Sequence, residues 1–369
     1  MSGRGRPDGH SAAVPATIRE AYVQASSFLR SAAEQSADER DRAGHPEQAF
    51  DAPALPFAGE RRDGDAGTRD EAANLRNDAA HRVPPADSGP RTQDTEQVVL
   101  RLLAHLTGWS RGELLMRWNE PFPSDRWEDW SAWLRRKAQG EPVQYITGEE
   151  TFYGLSFRVT PAVLIPRPET ELLVERMLEE ADRIARRPSS HARGAPVLVD
   201  IGTGSGAIAV AFAHLRPEWL VVATDVSEEA LRVAESNAAR HGVADRIRFL
   251  RGDLWAPVAE AGVRADILVS NPPYIPAGDI PGLMREVRDY EPKLALDGGD
   301  DGLALYRRLF DRMRSFSRDR LPRAIGLETG AGQARAVAGM MRGLGAWDVV
   351  DIIRDLSGME RHVIGIRPD

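Results

Sequence analysis

The chain has 369 residues, 42% of them hydrophobic, and a formal net charge of −8. That length accommodates two domains with a genuine core, and the acidic balance argues against a general nucleic-acid coat. Cysteine is absent, which excludes disulfides, thiolate metal sites and cysteine nucleophiles.

The 8 histidines show no metal-ligand spacing, so no metal site is expected. No apolar run approaches the ~18 residues needed to cross a bilayer, so no membrane contact is expected either. The opening segment is rich in Gly and Arg without an apolar centre. A secretory signal is therefore not expected, and a cytoplasmic location is.

In chain order, residues 17–35 read as a helix. Thr17 and Glu20 have capping-box spacing, and Ile18, Tyr22, Ala25, Leu29 and Ala32 recur at helical period. The texture then changes over 36–93 to Asp, Arg, Ala, Gly and Pro with one short apolar island. Such a stretch buries too little apolar surface to offset its ordering entropy, and 37–92 is read as a disordered insertion. Helical period returns at 95–106 through Val99, Leu102, Leu103 and Leu106. A second helical region carries Trp118, Trp127, Trp130 and Trp133 and ends near Gly140. The spacing of the last three tryptophans suits a recognition face or packing between helices, and packing is expected. Residues 1–140 thus form a small helical domain, 141–168 a connector, and 169–369 a second domain.

From Gly194 the pattern alternates. Apolar runs at 197–201, 220–223, 247–250, 267–270 and 324–327 are separated by helical stretches at 205–215, 227–241, 303–316 and 332–344. Strands alternating with helices predict an α/β, Rossmann-like domain with a mostly parallel sheet. The last two apolar runs, near 349–353 and 363–366, have no helix between them and predict an antiparallel C-terminal hairpin.

Between the first of these strands and its helix stands Asp200-Ile201-Gly202-Thr203-Gly204-Ser205-Gly206. Alternate glycines permit a tight turn and close approach of a ligand to the backbone, and the helix N-terminus beyond favours an anionic group. Asp225, at the end of the next strand, suits the two hydroxyls of a ribose. Gly202, Gly204 and Ala207 also fit a dinucleotide pattern, so a nicotinamide enzyme is an alternative at this point. No Lys follows the glycines, which excludes a P-loop. Asp253-Leu254-Trp255 after the third strand supplies a carboxylate for an exocyclic amine and apolar walls for an adenine.

Asn271-Pro272-Pro273-Tyr274 follows the fourth strand. Proline cannot extend a ladder, so the chain leaves the sheet at its carboxyl edge, where open α/β sheets bind ligands. The Asn271 side-chain carbonyl and the Pro272 backbone carbonyl make adjacent acceptors for the two hydrogens of a planar –NH₂ group, and Tyr274 and Pro273 stand beside them. An acid for the ribose, a carboxylate for the adenine and an anion-friendly turn together describe a site for S-adenosylmethionine. The predicted chemistry is methylation of a planar nitrogen.

Further segments make a resemblance plain. Glu141-Pro142-Val143-Gln144-Tyr145, Ile165-Pro166-Arg167-Pro168-Glu169-Thr170-Glu171, Glu286-Val287-Arg288-Asp289-Tyr290-Glu291-Pro292 and Gly298-Gly299-Asp300-Asp301-Gly302, joined to the glycine loop and Asn271 to Tyr274, resemble the release factor glutamine methyltransferase family. The resemblance implies a class I S-adenosylmethionine-dependent methyltransferase fold. It implies N5-methylation of the glutamine in the Gly-Gly-Gln motif of class I peptide chain release factors, with the helical domain docking that protein. It assigns Gly202, Thr203, Gly204, Ser205, Gly206, Asp225, Asp253, Leu254 and Asn271 to the cofactor, and Asn271, Pro272, Pro273 and Tyr274 to the glutamine. Arg167 and Glu169 shape the cofactor mouth or form an ion pair. The insertion departs from the family pattern, as does Thr329, where the family more often has an apolar residue. A monomer that binds no nucleic acid directly is expected. The alternative enzyme is an N6-adenine methyltransferase, which would use the same four residues on a flipped base.

Overall fold

The computed structural model describes residues 14–42, 92–186 and 194–367. The chain divides into two compact units, the first running to Thr147 and the second from Gly148. The segment expected as a connector is therefore shared out: 141–147 goes with the helices and 148–168 with the sheet.

In the first unit, α1 (Ile18–Arg42), α2 (Thr92–Thr107), α3 (Arg111–Met116), α4 (Trp127–Ala138) and α5 (Val143–Thr147) surround one apolar core. Half of the predicted α1 capping box forms: the Glu20 amide donates to Thr17 Oγ1 at 3.2 Å, while Glu20 Oε2 accepts from the Ala16 amide at 2.8 Å, one residue before the cap. Ile18, Ala21, Ala25 and Phe28 from α1 bury against Val99, Leu102 and Leu103 from α2. Trp130 is buried, with Trp118, Trp127 and Trp133 packed against the same cluster, so the tryptophans serve as core. Helix α1 runs to Arg42, beyond the expected end at Gln35, and α2 begins at Thr92. The rest of the expected insertion lies outside the described residues.

The second unit opens with an antiparallel hairpin, β1 (Glu149–Phe152) and β2 (Leu155–Arg158), followed by α6 (Pro168–Arg186). Then β3 (Val197–Ile201), α7 (Ala207–Leu215), β4 (Leu220–Asp225), α8 (Glu228–Arg240), β5 (Ile247–Arg251), α9 (Ala256–Glu260) and β6 (Ile267–Ser270) alternate. After β6 come α10 (Arg285–Tyr290), α11 (Ala304–Met313), β7 (Ala324–Glu328), α12 (Ala334–Arg342), β8 (Val349–Arg354) and β9 (Glu360–Ile366). The 7-stranded sheet has the order β5-β4-β3-β6-β7-β9-β8. The first five of these strands are parallel, β9 is antiparallel to β7, and β8 closes the edge antiparallel to β9. The α/β class and the C-terminal hairpin thus follow the sequence pattern.

The central strands are apolar on both faces because helices cover both. Leu198, Val221, Ile267 and Val269 pack with α6 and α7, while Val199, Leu268, Ile325 and Leu327 pack with α11 and α12. The order reverses between β3 and β6, so the carboxyl ends of β3, β4 and β6 open on a common crevice.

Candidate active site

That crevice is a cavity of about 400 Å³ within the second unit. It is lined by Ile201 to Ser205 of the glycine loop, Asp225, Asp253, Leu254, Asn271, Pro272 and Pro273, which the folding of four strand ends brings together, while Gly206 does not reach it.

The glycine loop is shaped by backbone geometry. Gly202, Gly204 and Gly206 have φ of 73°, 55° and 79°, a region that side chains with a Cβ rarely occupy. At Gly206 a Cβ would also stand 3.0 Å from the Ala234 Cβ. The amides of Gly202 and Thr203 both donate to the Thr224 carbonyl at 2.9 Å, tying the loop to β4. Asp225 then holds the crest: Oδ2 accepts from the Gly204 amide at 2.9 Å and Oδ1 from the Ser227 amide at 2.9 Å. An ionised carboxylate offers about four lone-pair sites, so these contacts leave capacity for hydroxyl donors from the cavity. Burial pushes the Asp225 pKa up, against the pull of those amides.

Beneath the loop Asp200 is wholly buried and accepts from Thr203 Oγ1 at 2.7 Å. Desolvation pushes its carboxyl up to about 7. Asn237, also wholly buried, donates from Nδ2 to the Ser205 carbonyl at 2.8 Å and to the Arg158 carbonyl at 3.0 Å, while its Oδ1 accepts from the Arg158 amide at 2.8 Å. One amide thereby joins α8, the glycine loop and β2.

On the adenine side, Leu254 has φ 48°, a strained value for a residue with a Cβ. Asp253 is exposed and ion-paired with Arg308 of α11, another cavity residue. The sequence pattern did not single out Arg308, because nothing local marks which residue of a helix reaches an aspartate 55 positions away.

Past β6 the acceptor loop is held by its neighbours. Ile275 donates to the Leu296 carbonyl at 3.0 Å, and the Gly298 amide donates to the Ile275 carbonyl at 2.8 Å. The Tyr274 carbonyl accepts from Gln333 Nε2 at 2.8 Å. Gly302 has φ 73°, and a Cβ there would lie 2.2 Å from the Tyr274 carbonyl oxygen. This close approach is what the Gly298 to Gly302 segment accommodates. Tyr274 itself does not line the cavity: its ring packs beside Gly330 and the core, and burial pushes its hydroxyl up to about 12. Asn271 Nδ2 donates to Thr170 Oγ1 at 3.2 Å, and among the described residues neither Asn271 Oδ1 nor the Pro272 carbonyl accepts a hydrogen bond. Both residues line the cavity, so two acceptors without a protein partner belong to its wall.

Arg167, at the cavity wall, bonds Glu291 Oε1 at 2.6 Å across 124 positions. Glu291 is buried, and desolvation raises its pKa despite the guanidinium. The expected ion pair at Arg167 thus has Glu291 as its partner, while Glu169 is exposed. Thr329 is buried with its hydroxyl donating to the Arg361 carbonyl at 3.1 Å, so the polar group is satisfied.

Residues 90–148 match the model of the PrmC N-terminal domain, and 170–282 match that of the methyltransferase small domain. The chain is 42% identical over 267 residues to the release factor glutamine methyltransferase of Moorella thermoacetica, covering 71% of this chain and 89% of that protein. It is 38% identical over 265 residues to the enzyme of that name from Bacillus subtilis, with 72% and 89% covered. With the one from Burkholderia pseudomallei it shares 42% over 273 residues, with 72% and 90% covered. Among solved structures it is similar to the N-terminal domain of human METTL16 in complex with SAH, at a TM-score of 0.42 and 18% identity, covering 59% of this chain and 77% of that one.

Proposed function

Because the chain belongs to the release factor glutamine methyltransferase family, we propose that it methylates the N5 amide of the glutamine in the Gly-Gly-Gln motif of class I peptide chain release factors, with S-adenosylmethionine as donor. The single observation that carries this reading is a pair of acceptors without protein partners, Asn271 Oδ1 and the Pro272 carbonyl, on two residues that line the same cavity as the glycine loop.

The residues present fit the cofactor. The glycine loop and the start of α7 would hold its amino-acid end, Asp225 the ribose, and Leu254 with Asp253 the adenine. The apolar share of the wall, Ile201, Ile208 and Leu254 among it, suits a ring system. When bound, S-adenosylmethionine supplies an electrophilic methyl group.

The rest is the work of this chain. A primary amide nitrogen is a poor nucleophile because its lone pair is shared with the carbonyl. Asn271 Oδ1 and the Pro272 carbonyl each take one N–H of that nitrogen, fixing its plane and its approach. Positive charge grows on the nitrogen as it reacts, and the negative ends of both acceptors would face it. Catalysis is then positioning plus preorganised electrostatics. Pro272 lacks an N–H and cannot join a ladder, which keeps its carbonyl at the edge. Pro273 lines the wall next to it, and Tyr274 acts from behind as packing for the loop.

The helical unit would dock the release factor, and the enzyme would act on this protein rather than on nucleic acid, as a cytoplasmic monomer. The acidic net charge of −8 supports a protein substrate over a polyanion. Labelled S-adenosylmethionine offered with a release factor, its Gly-Gly-Gln to Gly-Gly-Ala form and duplex DNA tests the reading. Label on the intact release factor alone is expected; label on DNA would move the reading to adenine methylation.

A further inference from the structure

Behind Asn271 lies a buried polar chain that the mechanism above does not use. Asn271 Nδ2 donates to Thr170 Oγ1 at 3.2 Å, and the Thr170 hydroxyl donates to Glu328 Oε2 at 2.6 Å. Thr170 is 4% exposed and Glu328 is 1% exposed, so the contact between them is buried. Glu328 is itself located by Tyr306, whose hydroxyl donates to the Glu328 backbone carbonyl at 2.6 Å. His362, equally buried, brings Nε2 within 3.8 Å of the same Oε2.

The geometry assigns Thr170 and Glu328 a positioning role: together they set which way the Asn271 side-chain amide faces. An Asn amide has two ends of nearly equal shape, and only the hydrogen-bond network distinguishes them. A hydroxyl carries one proton. Thr170 gives that proton to the Glu328 carboxylate, so toward Asn271 it can only accept. The NH₂ end of Asn271 must turn to Thr170, and Oδ1 is left facing the cavity. Turned the other way, Asn271 would present N–H groups to the substrate amide NH₂, donor against donor, and the acceptor pair would be lost.

The proposal rests on the glutamine methyltransferase reading for its kinetic consequence but not for its geometric one. Three variants separate the two. Thr170→Val keeps the volume and removes the hydroxyl; Thr170→Ser keeps the hydroxyl; Glu328→Gln lets its own NH₂ face Thr170, freeing the Thr170 proton for Asn271 Oδ1.

Methyl transfer to a release factor should fall in kcat by about 10- to 100-fold in Thr170→Val and Glu328→Gln, the scale of a misplaced reacting group. Binding of S-adenosylhomocysteine by calorimetry should stay within about twofold, and Thr170→Ser should recover most of the turnover. In parallel, the Asn271 side-chain NH₂ resonances, identified by their loss in Asn271→Ala, should move in Thr170→Val and Glu328→Gln but little in Thr170→Ser. Wild-type turnover in Thr170→Val, or a Thr170→Ser variant as impaired as Thr170→Val, would overturn the role. Unmoved resonances would overturn it even if Glu328→Gln were too unstable to assay. A wild-type enzyme that leaves release factor unlabelled, with the resonances moving as described, would instead remove the substrate reading and keep the orientation.

Discussion

The glycine loop after β3 and the Asn271 loop after β6 leave adjacent parallel strands and face one cavity, yet they are built differently. The first is held mainly by its own backbone and by the next strand and helix. Its turn comes from glycines at positive φ, and Asp225, its side-chain anchor, sits at the end of the neighbouring strand. The second is shaped from afar. Its backbone leans on 296–302, its Tyr274 carbonyl on Gln333, and its key amide on Thr170 and Glu328. A loop made of backbone donors can be specified in a few contiguous residues, because every residue has an N–H. A side-chain acceptor with one correct orientation needs a partner that holds its other end, and such a partner rarely lies next door in sequence.

Four measurements would break or sharpen this contrast. The largest effect is expected at Asn271. Asn271→Ala should lower kcat by roughly 10²- to 10³-fold, as for the loss of one preorganised polar group, while the affinity for cofactor changes much less. Near-normal turnover in that variant would end the acceptor-pair mechanism.

Asp225→Ala addresses the other loop and should have the opposite signature. Removing a charged acceptor should weaken binding of S-adenosylhomocysteine by roughly 10- to 100-fold, with kcat at saturation less affected. Unchanged affinity in a calorimetric titration would take Asp225 out of the site. Gly302→Ala tests the claim that the acceptor loop depends on distant backbone. Its Cβ would meet the Tyr274 carbonyl oxygen at 2.2 Å with φ at 73°, so a loss of about 1–3 kcal/mol is expected from strain and displacement. A melting temperature and kcat equal to wild type would show that the loop adapts freely.

The last measurement concerns stability against pH and is expected to leave turnover least affected. Asp200 has a folded pKa of about 7, raised by burial from 3.8. The folded state then binds more protons than the unfolded state between those values, so this group lowers stability as pH rises from about 4 toward 7, by at most about 1.4 kcal/mol per pH unit. Asp200→Asn should flatten that part of the stability curve measured by urea unfolding. An unchanged slope would show that Asp200 does not titrate there.

Much of the cavity was legible before folding was considered. Gly202 to Ser205, Asp225, Leu254 and Asn271 to Pro273 all follow predicted strands, because short continuous apolar runs locate the strands and glycines and prolines mark where they stop. The α6 helix and the β1–β2 hairpin were less legible. Hairpin strands of 4 residues each are too short for a clear alternation. Tyr274 shows the limit of a motif read linearly: it belongs to the same four residues as Asn271 but turns to the core instead of the cavity. The ion pair of Arg167 went to Glu291 and not to the nearby Glu169 for a related reason, since sequence proximity does not bring two side chains onto one face.

Local patterning thus sufficed for the α/β class, the antiparallel C-terminal hairpin, the cavity edge and the chemical types gathered there. Those depend on propensity, periodicity and steric limits acting over a few residues. Long-range packing was needed for the partner of Arg308, the staple through Asn237 and the orientation of Asn271. Those depend on contacts that close loops of 55, 79, 101 and 158 residues, and a contact between distant positions acquires a definite geometry only once the sheet and its helices have packed.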